Sequence, residues 1–400
     1  MKKWFFLAVL TVLSACRHPE VEIADFDSFR VTQVSTGTVL VGNRLNPEIR
    51  LMDGDEETKV ASTSGTDLAK EILGMVECNS LIHIAGTYQG HDLDGAPLTL
   101  SGKLLLPAKG RIKNMLIVSH FTIGANYEGP SECFPIEGVL ASRGYAVVMA
   151  DYIGYGITRS RVHPYMHVES TARSVVDMAL AVKPYLEYIG RKPESEEVIL
   201  FGYSQGGSTT LGVMDMIQDE YEDVLPIKAV YAGGGPYDLA ATFDVSMLED
   251  LTGIPCAIPM IVQGINEGDN LGLEIDKFFK PVLLEHIDEW INSKDYTVKQ
   301  INLLMNANSV SDLMTDLGRN KKDPQTAKLY KALMLNSVLN FQPYHPIHFF
   351  HSTEDATVPF VNAQKAEEYF KGKDITYDFG AYGKHGNGFI RFLINAFKEL

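Results

Sequence analysis

Gly202-Tyr203-Ser204-Gln205-Gly206 sets a serine between two glycines, directly after the apolar run Val198 to Phe201 and before Gly207 to Met214, which can continue as a helix. A serine on so sharp a strand-to-helix turn takes strained backbone angles and needs neighbours without side chains. Ser204 is therefore the predicted nucleophile. A hydroxyl is weak at neutral pH, so a base must take its proton and an acid must hold that base in the right tautomer. His385, in Gly383-Lys384-His385-Gly386, is the single histidine downstream of Asp355. Asp355 opens Asp355-Ala356-Thr357-Val358-Pro359 after the apolar run Ile347 to Phe350, where a carboxylate at a strand end can reach a histidine. Glu354 is the near alternative for the acid, and Asp238, after Lys228 to Ala232, is a second one.

These residues need a frame. From about residue 111 apolar strands alternate with helical segments, the pattern of a mostly parallel sheet. The strands are read at Met115 to Ser119, Ala146 to Ala150, Val198 to Phe201, Lys228 to Ala232, Ile347 to Phe350 and Ile375 to Phe379. Upstream, Ile82 to Leu106 reads as a β-hairpin turning at Asp92-Leu93-Asp94-Gly95, a turn rather than a calcium loop because the further ligands are missing. Between Asp238 and about Asn340 the alternation stops. Ile275, Phe278, Phe279, Val282, Leu283, Ile287, Trp290 and Ile291 recur at helical spacing, with Pro281 starting a second helix. Within this insertion, Ile254 to Val262 carries two prolines, which predicts an irregular segment able to line a pocket or pack the insertion onto the sheet. His163 and His167 lie four apart, but Pro164 and the lack of a nearby carboxylate pair argue against a metal site. No metal or cofactor is expected.

The chain resembles the α/β-hydrolase superfamily, and within it the secretory lipase and esterase group with its bacterial relatives. The resemblance runs from about Tyr88 to the C-terminus. It rests on Asp92-x-x-Gly95-x-Pro97 with Ser101-Gly102, Asp151-Tyr152-Ile153-Gly154-Tyr155-Gly156, the turn at Ser204, Gly234-Gly235-Pro236-Tyr237-Asp238-Leu239, and Asp355-x-x-Val358-Pro359. It implies the chain order nucleophile, acid, histidine, hence Ser204, Asp355 and His385, with Glu354 and Asp238 still open as the acid. One oxyanion donor is then the backbone N–H of Gln205. The other comes from His120-Phe121-Thr122, where many relatives carry His-Gly-x, so Thr122 takes the donor's place and Phe121 is the departure. His120 is read as ordering this loop, and Asp151 with its tyrosines as bracing the loop beside the nucleophile. The implied organisation is an α/β-hydrolase core over 61–238 and 341–400, with residues 239–340 as a helical cap.

The start of the chain reads as an address. Lys2 and Lys3 precede the ten almost wholly apolar residues Trp4 to Leu13, too few to span a bilayer. Leu13-Ser14-Ala15-Cys16 then resembles the lipobox of bacterial lipoproteins, with Cys16 as the lipid anchor of an exported, membrane-attached protein; without the lipobox the protein is secreted. Residues 1–15 are the leader, and residues 16–60, with the charge run Asp53-Gly54-Asp55-Glu56-Glu57, read as a tether. Lys and Arg number 35 against 51 Asp and Glu, a net −16 that repels phosphate and excludes nucleic acid as a partner. Loss of Lys2 and Lys3 with the leader leaves −18. Once Cys16 is acylated, Cys78, Cys133 and Cys256 allow at most one disulfide.

Three functions stay open on sequence. The first is a serine carboxylesterase or lipase acting on a small-molecule or lipid ester outside the cytoplasm. The second is a small serine peptidase of the prolyl-oligopeptidase-like type, and the third a non-catalytic binding protein on a hydrolase fold.

Overall fold

The computed structural model describes residues 23–41, 48–53, 56–62, 80–132 and 137–400. The leader, Cys16, Cys78 and Cys133 lie outside them. Six strands are β6 (Met115–Ser119), β7 (Ala146–Ala150), β8 (Val198–Tyr203), β9 (Ile227–Gly233), β10 (Ile347–Ser352) and β11 (Ile375–Gly380). They pair in parallel, in the spatial order β11-β10-β9-β8-β6-β7. Because helices cover both faces, β6, β7 and β8 are buried along their whole length, which is why each is a continuous apolar run. The hairpin β4 (Ser80–His91) and β5 (Pro97–Pro107) joins this sheet antiparallel through β5 and β7, and turns with the Gly95 N–H donating to the Asp92 carbonyl at 3.0 Å.

The tether expected over residues 16–60 is corrected from Phe29 onward. β1 (Phe29–Val41), β2 (Glu48–Asp53) and β3 (Glu56–Ser62) extend the sheet antiparallel beyond β4, giving eleven strands among the described residues. β1 is rich in Val and Thr, residues that suit a pleated surface, so strand propensity prevails there over polar composition. Phe29 anchors it, fully buried with its ring 5.0 Å from that of Tyr185.

Two apolar layers flank the sheet. α1 (Gly138–Ser142) and α9 (His385–Glu399) pack on one face, α2 (Val168–Tyr188) and α3 (Gln205–Met216) on the other. The helices between β9 and β10 form a third apolar cluster, joined by Tyr165 and Met166 from the segment after β7. The longer ones are α4 (Leu239–Glu249), α5 (Ala257–Gly268), α6 (Val298–Met305) and α7 (Pro324–Leu335); Pro281–Leu284 is a one-turn helix opened by its proline. α8 (Val361–Tyr369) follows β10.

The segment Ile254 to Val262 differs from expectation. α5 begins at Ala257, which places Pro259 in the first turn, where a helix has no internal acceptor for its N–H groups, so the missing donor costs nothing. The Met260 N–H then makes an ordinary helical bond to the Cys256 carbonyl at 3.2 Å. Cys256 itself is a buried free thiol. Glycines let these helices approach the core closely: a Cβ on Gly264 would stand 2.2 Å from the Tyr165 nitrogen, and one on Gly253 2.2 Å from Thr357 Cα.

Candidate active site

Ser204 stands between β8 and α3 with φ 61° and ψ −127°, a sparsely populated conformation for a residue with a side chain. Its neighbours hold it there. The Ser204 N–H donates to the Gly233 carbonyl at 2.9 Å. A Cβ on Gly206 would fall 2.1 Å from the Ser119 oxygen, and one on Gly202 2.2 Å from the Gly206 oxygen, so both motif glycines are required by backbone approach. Ser204 directly precedes the first turn of α3, whose leading N–H groups, Gln205 first, are not consumed by the helix.

Asp355 and His385 are brought together: His385 Nδ1 lies 2.5 Å from Asp355 Oδ2. The motif around Asp355 explains itself in the geometry. Its Oδ1 accepts the N–H groups of Thr357 and Val358, each at 2.9 Å, which closes the turn after β10 and leaves Oδ2 for the histidine. Burial works to raise this carboxyl, but its hydrogen bonds and the neighbouring imidazole outweigh burial and hold it below the usual carboxylate value.

The two alternative acids have other work. Glu354 Oε2 accepts the Gly383 N–H at 2.8 Å, and Ser352 Oγ donates to the Gly383 carbonyl at 2.6 Å, so both residues tie the His385 loop to the end of β10. Asp238 caps α4 by accepting the Ala241 N–H at 2.9 Å.

Among the described residues no hydrogen bond joins Ser204 Oγ to His385. Tyr203 links the two sides instead. Its ring lies 4.9 Å from the His385 ring, and its hydroxyl donates to the His385 carbonyl at 2.8 Å. Sequence reasoning missed this residue, whose signal is an aromatic one place before Ser204. His351, fully buried with Nε2 3.8 Å from Asp355 Oδ2, was missed as well.

The loop after β6 turns beside Ser204. His120 Nδ1 is 2.7 Å from the Phe121 carbonyl, and burial pushes this imidazole down to about 4, so it is neutral and donates its one ring proton there. Its ring stacks on Tyr152 at 3.8 Å. Thr122 Oγ1 is 2.6 Å from the Tyr165 hydroxyl, and Phe121 reaches across to Phe389, one turn along α9 from His385, at 5.8 Å. Asp151 accepts from Ser101 Oγ at 2.5 Å and from Ser131 Oγ at 2.6 Å, bracing this corner.

His163 and His167 have separate partners. His163 faces Ile153 and Gln205, while His167 caps α2. A cavity of about 430 Å³ lies along α2 and α3 near Asp215 and Asp269, and none of Ser204, Asp355 and His385 lines it.

The rice cell wall degrading esterase LipA from Xanthomonas oryzae superposes with a TM-score of 0.69 at 24% identity, over 83% of this chain and 92% of its own. Candida antarctica lipase A in its closed state superposes with a TM-score of 0.57 at 16% identity, over 80% of this chain and 75% of its own. At these identities they establish the α/β-hydrolase fold. No curated protein matches the chain in sequence. A family model described as secretory lipase matches residues 124–385, a span that opens in the loop after β6 and closes on His385. With well over half of its length inside that match, the chain belongs to the secretory lipase family.

Proposed function

We propose that the protein is an exported serine esterase of the lipase type, working through an acyl-enzyme on Ser204. Ser204 Oγ bonds to the ester carbonyl carbon as His385 Nε2 takes its proton, and Asp355 steadies the imidazolium through Nδ1. The carbonyl oxygen becomes an oxyanion held by the Gln205 N–H and by Thr122 in the loop after β6. His385 then gives the proton to the departing alkoxide, and water repeats the sequence to release the acid. The observation that carries this reading is the 2.5 Å pair of His385 and Asp355, tied by Tyr203 to the strained turn at Ser204.

The helices of residues 239–340 act as a cap in this reading. Support comes from two of their close approaches to the core, Gly253 on Thr357 and the Tyr296 carbonyl on Gly124, which meet the loop of the acid and the loop of the oxyanion donor. Family membership supports export. No helix among the described residues is long and apolar enough to cross a membrane, and the reading attaches the protein through lipid on Cys16 after loss of residues 1–15.

The test is turnover of chromogenic esters of graded acyl length beside aminoacyl anilides. Esters should be cleaved, and Ser204→Ala should lower kcat by several orders of magnitude, roughly 10⁶-fold where nucleophile and base act as a unit. Ester turnover surviving in pure Ser204→Ala refutes the covalent mechanism. Cleavage of anilides with no cleavage of esters would make the protein a peptidase.

A further inference from the structure

His163 lies between β7 and α2, buried among the rings of Tyr152, Tyr155 and Tyr165 at centroid distances of 6.0, 5.0 and 5.8 Å. Its Nδ1 is 2.7 Å from the Ile153 carbonyl oxygen, and since a carbonyl can only accept, this nitrogen carries the ring proton. Burial pushes the imidazole down to about 3, so the ring stays neutral and Nε2 is left as a bare acceptor. The side-chain Nε2 of Gln205 stands 3.1 Å from it. That amide orientation is the one that offers the ring lone pair a donor, so ring tautomer and amide orientation determine each other.

Gln205 directly follows the nucleophile. The peptide between Ser204 and Gln205 carries the N–H that faces the developing oxyanion, and Ser204 keeps an unfavourable backbone conformation that persists only where the surroundings over-determine it. Glycine contacts constrain this turn through the backbone. The bond from Gln205 to His163 constrains it through a side chain, anchored in a second loop by Ile153. Given Ser204 as the nucleophile, on which this step rests, we propose that His163 is a positioning residue for ester hydrolysis, holding the Gln205 N–H in register with the oxyanion. Such alignment matters as charge develops in the transition state, so its loss falls on kcat and spares KM.

The experiment compares His163→Leu, His163→Gln, Gln205→Leu and the double variant His163→Leu/Gln205→Leu with the full-length protein on one soluble ester, with Ser204→Ala alongside. His163→Leu and Gln205→Leu should each lower kcat roughly tenfold, the worth of one well-placed hydrogen bond, with KM within about twofold. The double variant should lose no more than the worse single one, because both remove the same bond. His163→Gln should recover most of the rate, since its amide can donate to Ile153 and accept from Gln205. An unchanged kcat in His163→Leu, a loss confined to KM, or a double variant that multiplies the single losses overturns the positioning role while a dead Ser204→Ala leaves the nucleophile standing. Turnover surviving in Ser204→Ala overturns the nucleophile itself and the positioning role with it. Where His163→Leu does not fold, Gln205→Leu and His163→Gln carry the same comparison.

Discussion

Lys294 is one of the side chains through which the helical region grips the core, and its removal gives a pH signature that can be worked out in advance. Its Nζ, 4% of the residue being exposed, donates to the Arg161 carbonyl at 2.6 Å and to the Arg159 carbonyl at 3.1 Å, while its own carbonyl accepts the Asn126 N–H at 2.8 Å. Burial, reinforced by the charge of Arg159, pushes the ammonium from 10.5 down to about 8. Below pH 8 both folded and unfolded chains carry the proton, and the buried charge is a standing cost. Between pH 8 and 10.5 the unfolded chain binds more protons than the folded one, so stability rises with pH. Integrated from pH 7 to pH 10, the gain is about 2 to 3 kcal/mol. Lys294→Met keeps the length of the stem and cannot titrate. At pH 7 it escapes the charge cost but leaves two part-buried carbonyls short of a donor, at up to about 1 to 3 kcal/mol each, so the two effects oppose and the variant stays close to wild type. At pH 10 it should fall behind by a further 2 to 3 kcal/mol or so. Urea melts of both proteins at the two pH values measure this, and taking the difference cancels every other titrating group. A gap that does not change between pH 7 and pH 10 refutes the buried-ammonium account.

Two further outcomes separate packing from chemistry. Asp355→Asn should keep the turn after β10 but lower kcat about 10³- to 10⁴-fold, because the amide favours the wrong imidazole tautomer; since the wild-type carboxyl is held low, its stability advantage over the variant should be present at neutral pH and close as pH falls through that depressed value, as acid melts would show. Met260, 5% exposed in the apolar cluster of the helical region, should lose about 1 to 3 kcal/mol as Met260→Trp with an unchanged acyl-length profile, whereas Ile258→Trp, on the wall of a small apolar cavity of about 60 Å³ with Leu239 and Phe243, should shift the profile toward shorter acyl chains with less loss of stability; parallel melts and ester series decide, and the opposite pairing of effects would place the substrate elsewhere.

What could be read in advance follows from how each element is stabilised. All six parallel strands fell within two residues of their observed ends, and for β6, β7 and β8 the reason is that a strand buried on both faces must be apolar throughout, and such runs are visible in a chain. β1 to β3 escaped because they add to an edge of the sheet beyond β4, where propensity and pairing sustain a strand of mixed polarity and composition suggests solvent. Pro259 misled for a local reason: proline excludes a helix interior but not a first turn, and the start of α5 cannot be located from the proline alone. Contacts between distant segments left no trace at all. Nothing near Gly264 announces that α5 rests on Tyr165, and nothing near His163 announces Gln205.

The acid shows where sequence and structure divide the work. Glu354 and Asp355 are adjacent carboxylates at the end of one strand, and both sit within reach of the loop that brings His385. Charge cannot choose between them. Reach and backbone do: the shorter side chain folds one oxygen back onto the N–H groups of Thr357 and Val358, which aims the other at the imidazole, while the longer one extends across to the Gly383 N–H and holds the loop itself. One carboxylate therefore orients the ring and its neighbour orients the backbone that carries the ring. A motif that names only the aspartate describes half of that arrangement, because the distance of 2.5 Å at His385 depends on where Glu354 and Ser352 have already placed residue 383.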